Sequence, residues 1–152
     1  MSDRPKLRRP WDQSLANCMW LARFVDKARL HARGELSAEF EPFFGHRLAT
    51  DGAFFSHFDF DANEALSAVR TDESDPAMET WFLNLSGVTP ARIATWNHLG
   101  PKLGRPGEVM ERAFRFAHRK YYGGDKADPR VTSVFTGIAW DEGYLEEYPF
   151  EP

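Results

Sequence analysis

Residues 15–33, LANCMWLARFVDKARLHAR, decide the fold class. At about 100° per residue, Leu15, Cys18, Ala22, Val25, Asp26 and Arg29 fall on one helical face, with Trp20 and Phe24 opposite. A helix apolar on nearly all sides is central in its domain, and its charges must be paired, hydrogen-bonded or lining a cleft. The run Arg23, Asp26, Lys27, Arg29 crosses the middle of this segment. Charged networks inside helical cores are more often structural than catalytic, so an i, i+3 pair between Asp26 and Arg29 is the simplest expectation. On that reading Asp26 is the charge on which the helix depends. Asp12 as N-cap and Gly34 as a left-handed terminator bound the helix.

Working outward, residues 35–51 have no clear period. Phe40, Phe43 and Phe44 surround Pro42 and Gly45, which predicts an irregular connector held down by its aromatics. Asp51 then caps a short helix carrying Phe54, Phe55 and Phe58. Asp61 with Glu64 makes a capping box for the run to Val69, with Phe60 placed as a hydrophobic staple. Asp75 and Pro76 open a helix whose Met78, Trp81, Phe82 and Leu85 recur at i, i+3, i+4, i+7. Thr89 and Pro90 start another, carrying Ile93, Trp96 and Asn97 and stopping at Gly100 and Pro101. A helix over 108–122 ends at Gly123 and Gly124. Asp128 and Pro129 announce a last helix over 131–141, for which the β-branched content makes a strand the main competitor. The expected fold is mostly α, a compact single-domain bundle of about six helices with an irregular aromatic-rich connector after the first. Residues 1–10 form a basic N-terminal arm, 11–143 the domain and 144–152 an acidic aromatic tail.

At 152 residues the chain fits one domain burying on the order of 70% of its unfolded surface. A net charge of −4 speaks against an ordinary basic nucleic-acid binder. Arg4, Lys6, Arg8 and Arg9 precede no apolar run of the kind an export signal needs, and Arg23 with Asp26 interrupts the longest candidate for a membrane span. The single cysteine, Cys18, allows no intramolecular disulfide and no cysteine-based zinc site, and a reducing cytoplasm is the simplest location. The acidic end, with Asp141, Glu142, Glu146, Glu147 and Glu151, can pair with the basic end or with a partner.

The chemistry-bearing candidates are few. Arg23, Asp26, Lys27 and Arg29 combine acid, base and cation, so Asp26 as base and Arg29 as anion clamp could serve a small anionic molecule. Trp96 and Asn97 extend this ligand-binding set, because a partly buried amide must find partners. Catalysis is unassigned, with Asp26 as its candidate. His46, Asp51, His57, Asp59 and Asp61 supply nitrogen and oxygen donors, but their spacing matches no ligand motif and two of them serve as caps, so no metal is expected. Cys18 on an apolar face is expected to be inert. Arg112, Arg115 and Arg119 form a stripe edged by His118 and Lys120, suited to phosphates or an acidic partner segment unless Glu108 and Glu111 balance it. Gly100, Gly104 and Gly107 do not form a phosphate loop, and no cofactor motif is legible.

Several of these segments together resemble a bacterial family known as domain of unknown function 5069. The resemblance rests on LARFVDKAR at 21–29 with Gly34 following, Phe54 and Phe55 with Asp61 and Val69, Ser74 and Asp75, ATWN at 94–97, and Asp141, Glu142, Gly143. It covers most of 10–143 and implies a small α-helical bacterial protein, without supplying an activity. The chain departs from the pattern near Ala16 and Asn17, where glycine is more usual, and at Trp20, where a histidine is expected. Those changes would narrow and dry a pocket beside the first helix.

Two function classes remain open. One is a small-molecule site, enzymatic or not, in an interhelical cleft near Asp26/Arg29 and Trp96/Asn97. The other is a non-enzymatic interaction or regulatory module; Trp11, Trp20, Phe43 and Phe44 are many for a small core to hide, which suits a homodimer under either reading. A deep pocket favours the first, a flat aromatic patch the second.

Overall fold

The computed structural model describes residues 6–152, which contain seven α-helices, four short 3-10 turns and no strand. The helices are α1 (Leu21–Ala32), α2 (Thr50–Phe58), α3 (Ala62–Thr71), α4 (Asp75–Leu83), α5 (Pro90–Leu99), α6 (Glu111–Lys120) and α7 (Val134–Asp141). The protein is thus mostly α, with seven helices where about six were expected. None of the described helices is long and apolar enough to cross a membrane. The chain divides into two compact units, Met1–Trp96 and Asn97–Pro152. Residues 1–5 of the basic arm, Arg4 among them, lie outside the described residues.

The first unit is built around α1, which packs along α3. The helix is shorter than its hydrophobic pattern suggests. Ala16, Asn17 and Trp20 all adopt left-handed backbone, with φ of 53°, 53° and 72°, so residues 15–20 are turns rather than helix. Left-handed backbone costs an L-residue roughly 1–2 kcal/mol and glycine far less, so Ala16 and Asn17 stand at positions that would suit glycine. Two hydrogen bonds hold the turns, one of them long-range: the Ala16 N–H donates to Glu79 Oε2 at 2.5 Å and the Trp20 N–H to the Pro10 carbonyl at 2.8 Å. Asp12 caps its own turn, accepting from the Ser14 N–H at 2.8 Å, and not the helix. Gly34 follows α1 with φ 69°, as expected of a left-handed terminator.

Residues 35–49 form the irregular connector, containing one 3-10 turn at Glu41–Phe43. Phe44 stacks on Phe24 with rings 5.8 Å apart and on His31 at 4.3 Å, so the connector is pinned to α1 by its aromatics. Beneath it lies a ring cluster. Phe54 meets Phe58 edge-on at 5.3 Å, stacks on Phe82 at 5.9 Å and touches Trp96 at 5.4 Å. Phe54, Phe58, Phe82 and Trp96 are essentially inaccessible to solvent. Caps set the surrounding helices. The Asp61–Glu64 capping box opens α3, and Ser74 caps α4 through a bond from the Ala77 N–H, leaving Asp75 in the first turn rather than at the cap.

In the second unit, α6 begins at Glu111 rather than Glu108, because Met110 ahead of it has φ 69°. Gly104 turns with φ 91°, and its N–H donates to the Val109 carbonyl at 2.7 Å. The β-branched segment is helical, settling the choice against a strand. A Ser133–Thr136 capping box starts α7 at Val134, while Asp128 closes a separate turn by accepting from the Arg130 N–H at 2.9 Å.

Candidate functional site

The ionic run of α1 separates onto two sides of the helix. Trp20, Arg23, Lys27 and His31, spaced three and four residues apart, face the connector and α2. Asp26, Arg29 and Arg33 face residues 8 and 73–75.

On the first side, Lys27 Nζ lies 2.7 Å from Asp51 Oδ1, with only 8% of one side chain and none of the other exposed. The same carboxylate accepts from the Trp20 indole N–H at 2.9 Å and from the Gly45 N–H at 3.0 Å. Three donors converge on one buried acid, which is what a carboxylate needs to remain charged out of water. Lys27 also lies over the Trp20 ring, 4.8 Å from its centre, and the buried Arg23 guanidinium lies 5.6 Å from that ring and 5.9 Å from Phe40. Asp51 is therefore not the cap of α2. Ala49 occupies that position without a side-chain bond.

On the second side, the Arg8 backbone N–H and guanidinium both donate to Asp26, at 2.8 Å and 2.9 Å. The same guanidinium reaches Asp75 at 3.0 Å, and Arg29 donates to Asp75 at 2.6 Å and to the Glu73 carbonyl at 2.7 Å. The expected Asp26–Arg29 pair exists at 3.6 Å, but Arg8 is the closer partner. Arg33 pairs with Glu73 at the end of the row. The Arg8 bond holds the Asp75 carboxyl below the usual carboxylate range against the opposing effect of burial, and Arg29 adds to it. For Arg8, burial favours the neutral form, yet the bonds to Asp75 and Asp26 outweigh it and raise its pKa.

The remaining sequence candidates stand apart from these clusters. Trp96 is 1% exposed and donates its indole N–H to the Met19 carbonyl at 2.9 Å. Asn97, the next residue, begins the second unit and is half-buried. Cys18 is fully buried, and burial pushes its thiol well up. Of the metal candidates, His57 Nε2 is bonded to the Arg92 carbonyl at 2.8 Å, His46 Nδ1 accepts from the Leu48 N–H at 3.1 Å, and Asp61 is a cap. Among the described residues, no group of three or more His, Cys, Asp or Glu side chains is arranged to hold a metal ion. An open depression of about 530 Å³ lies over Asn63, Glu64, Ser67, Ala68, Thr71 and Trp81, away from the charges of α1.

Sequence reasoning missed Asp51 and Arg8 as partners of α1. Asp51 has a local explanation as a cap, and Arg8 is hidden in a basic stretch whose expected partners are the acidic end or another molecule. Single-sequence patterns carry no signal linking Lys27 to a residue 24 positions away.

These features define an α-helical protein whose central helix is fixed by two ionic clusters. The chain belongs to the family described as Domain of unknown function (DUF5069), whose model matches residues 5–144 of the 152. Among curated proteins, none matches the chain.

Proposed function

We propose that this protein is a non-enzymatic interaction module that presents ordered aromatic and charged surface to a protein partner. The observation supporting this reading is the set of large apolar side chains in solvent: Phe43 at 45%, Phe116 at 53%, Tyr121 at 44% and Trp140 at 38% exposure. The candidate reactive groups on α1 are meanwhile engaged structurally. Lys27 is committed to Asp51, and Asp26 to Arg8. A general base needs a free lone pair facing substrate, and an anion clamp needs open donors.

A second reading keeps a small anionic ligand near Arg29 and Asp26. One observation favours it: Arg8 and Arg29 converge on Asp75, which is 44% exposed, so a ligand carboxylate or phosphate could take the place of that side chain.

The test is site-specific photo-crosslinking in cells, with a photoreactive phenylalanine analogue at Phe43, at Phe116 and, as a control, at Ser86. A discrete crosslinked protein from position 43 or 116, absent from position 86, is the expected result. No crosslinked product, together with a stoichiometric small molecule in native mass spectra that Asp75→Asn removes, would overturn the interaction reading in favour of the second.

A further inference from the structure

Helix α6 buries Phe114 and holds Arg112, Arg115, Phe116, Arg119 and Lys120 exposed. At about 100° per residue these five lie within roughly 140° of the helix circumference, opposite Phe114. Phe116 keeps 53% of its surface in solvent, and the Lys120 ammonium lies over it, 5.4 Å from the ring centre. Elsewhere Arg8, Lys27, Arg29, Arg33 and Arg130 each hold a carboxylate. Among the described residues, Arg112, Arg115 and Arg119 are in no such pair, although Glu108 and Glu111 stand nearby in sequence.

The surroundings limit what can sit there. In the unit Asn97–Pro152, the residues outside this face include nine acids against four lysines and arginines. The face is thus a short basic island, about 12 Å long, on an acidic unit. A nucleic acid or an anionic membrane carries its negative charge well beyond that length and meets like charge at the margins, whereas a short acidic segment does not. Composition points the same way: protein interfaces are enriched in arginine and aromatics and depleted in lysine, and three of the four cations here are arginines. The spacing suits a helix. Arg112, Arg115 and Arg119 stand about 4.5 and 6 Å apart along the axis, and a partner helix has the same rise, so carboxylates repeating every three to four residues come level with all three. Each guanidinium can take a carboxylate through two parallel hydrogen bonds, and an apolar side chain among the acids meets Phe116.

We propose that the outward face of α6 binds an acidic helical segment of a separate protein, with carboxylates repeating every three to four residues and an apolar side chain beside them. This rests on the interaction reading above and names the partner's chemistry. The contact is electrostatic and solvent-facing, so it weakens with salt.

The test places the photoreactive phenylalanine analogue at Phe116 in cells and sequences the crosslinked segment by mass spectrometry. It is run in the wild-type background and in Arg112→Glu/Arg115→Glu/Arg119→Glu, with folding of the purified full chain checked by circular dichroism. An acidic segment of another protein is expected, its crosslink falling at least tenfold in the variant. A synthetic peptide of that segment should bind the wild-type chain in fluorescence anisotropy, less tightly at high salt and at least tenfold more weakly after the triple substitution. Exchanging its carboxylates for lysines should restore binding to the variant. A segment without clustered acids, a crosslink that the triple substitution leaves unchanged, or an exchanged peptide that fails to restore binding overturns the proposal. So does a product from position 116 that is nucleic acid, lipid or a second copy of this chain. Position 116 silent while position 43 crosslinks a protein refutes the acidic partner and leaves the interaction reading standing, whereas silence at both removes both.

Discussion

Asp51 and Lys27 face each other at 2.7 Å in a space that excludes solvent, and Trp20 and Gly45 complete the hydrogen bonding of the carboxylate. Burial ranks this acid above Asp26, whose side chain keeps 17% exposure. Removing one member of a buried pair costs about 3–5 kcal/mol, so Asp51→Asn should lower the melting temperature by roughly 6–20 °C. Asp26→Asn should cost about 1–3 kcal/mol through its lost bonds to Arg8. Asp72→Asn, at an exposed turn, should change little. Adding Lys27→Met to Asp51→Asn should recover part of the loss, since the uncompensated cation goes with it. Equal melting temperatures for the Asp51 and Asp26 variants would refute the ranking.

Acid stability should depend on Asp75. Its carboxyl is held below the ordinary value by Arg8, so the unfolded chain takes up this proton first as pH falls. The contribution is complete above about pH 4 and is lost as pH drops through the lowered folded value. Urea midpoints measured from pH 6 down to pH 2 should fall less steeply below pH 4 for Asp75→Asn than for wild type. Parallel curves would show that the Arg8 and Arg29 bonds give Asp75 no linkage to folding.

Cys18 should resist thiol reagents. It has no exposed surface, and burial raises its pKa, so neither access nor thiolate is available at neutral pH. Native protein should label far more slowly than protein in denaturant. Rapid stoichiometric labelling of the native chain would place the thiol at the surface.

Gly104→Ala should destabilise the second unit by about 2–5 kcal/mol. Its φ of 91° is unfavourable for any side chain, and an added Cβ would lie 2.6 Å from Phe114 Cβ, the residue that seats α6. Loss of helical circular dichroism at a lower temperature is the expected readout. An unchanged melting curve would mean that the loop shifts freely.

What could be read from the sequence was whatever is fixed within a few residues. The Asp61–Glu64 box, the Gly34 terminator and the spacing of Met78 and Phe82 all declare themselves locally, and the structure has each. The start of α1 did not. Hydrophobic periodicity records which side of a segment is apolar but not the sign of φ, and Ala16, Asn17 and Trp20 keep the pattern while leaving the helix. The ionic partners were hidden for another reason. Asp51 satisfies a local rule that it does not obey in the structure, and Arg8 gains its role from residues 18 and 67 positions away.

The double grip of Arg8 also orders events in time. Its guanidinium is satisfied only when both Asp26 and Asp75 are in place, and the second lies 67 residues further along. At roughly 5–20 residues per second of synthesis, Arg8 leaves the peptidyl-transferase centre about 3–13 s before Asp75 is made. Whatever structure α1 has gained by then, the grip of Arg8 stays incomplete until Asp75 has followed, so the segment before α1 is not fully fastened during that interval.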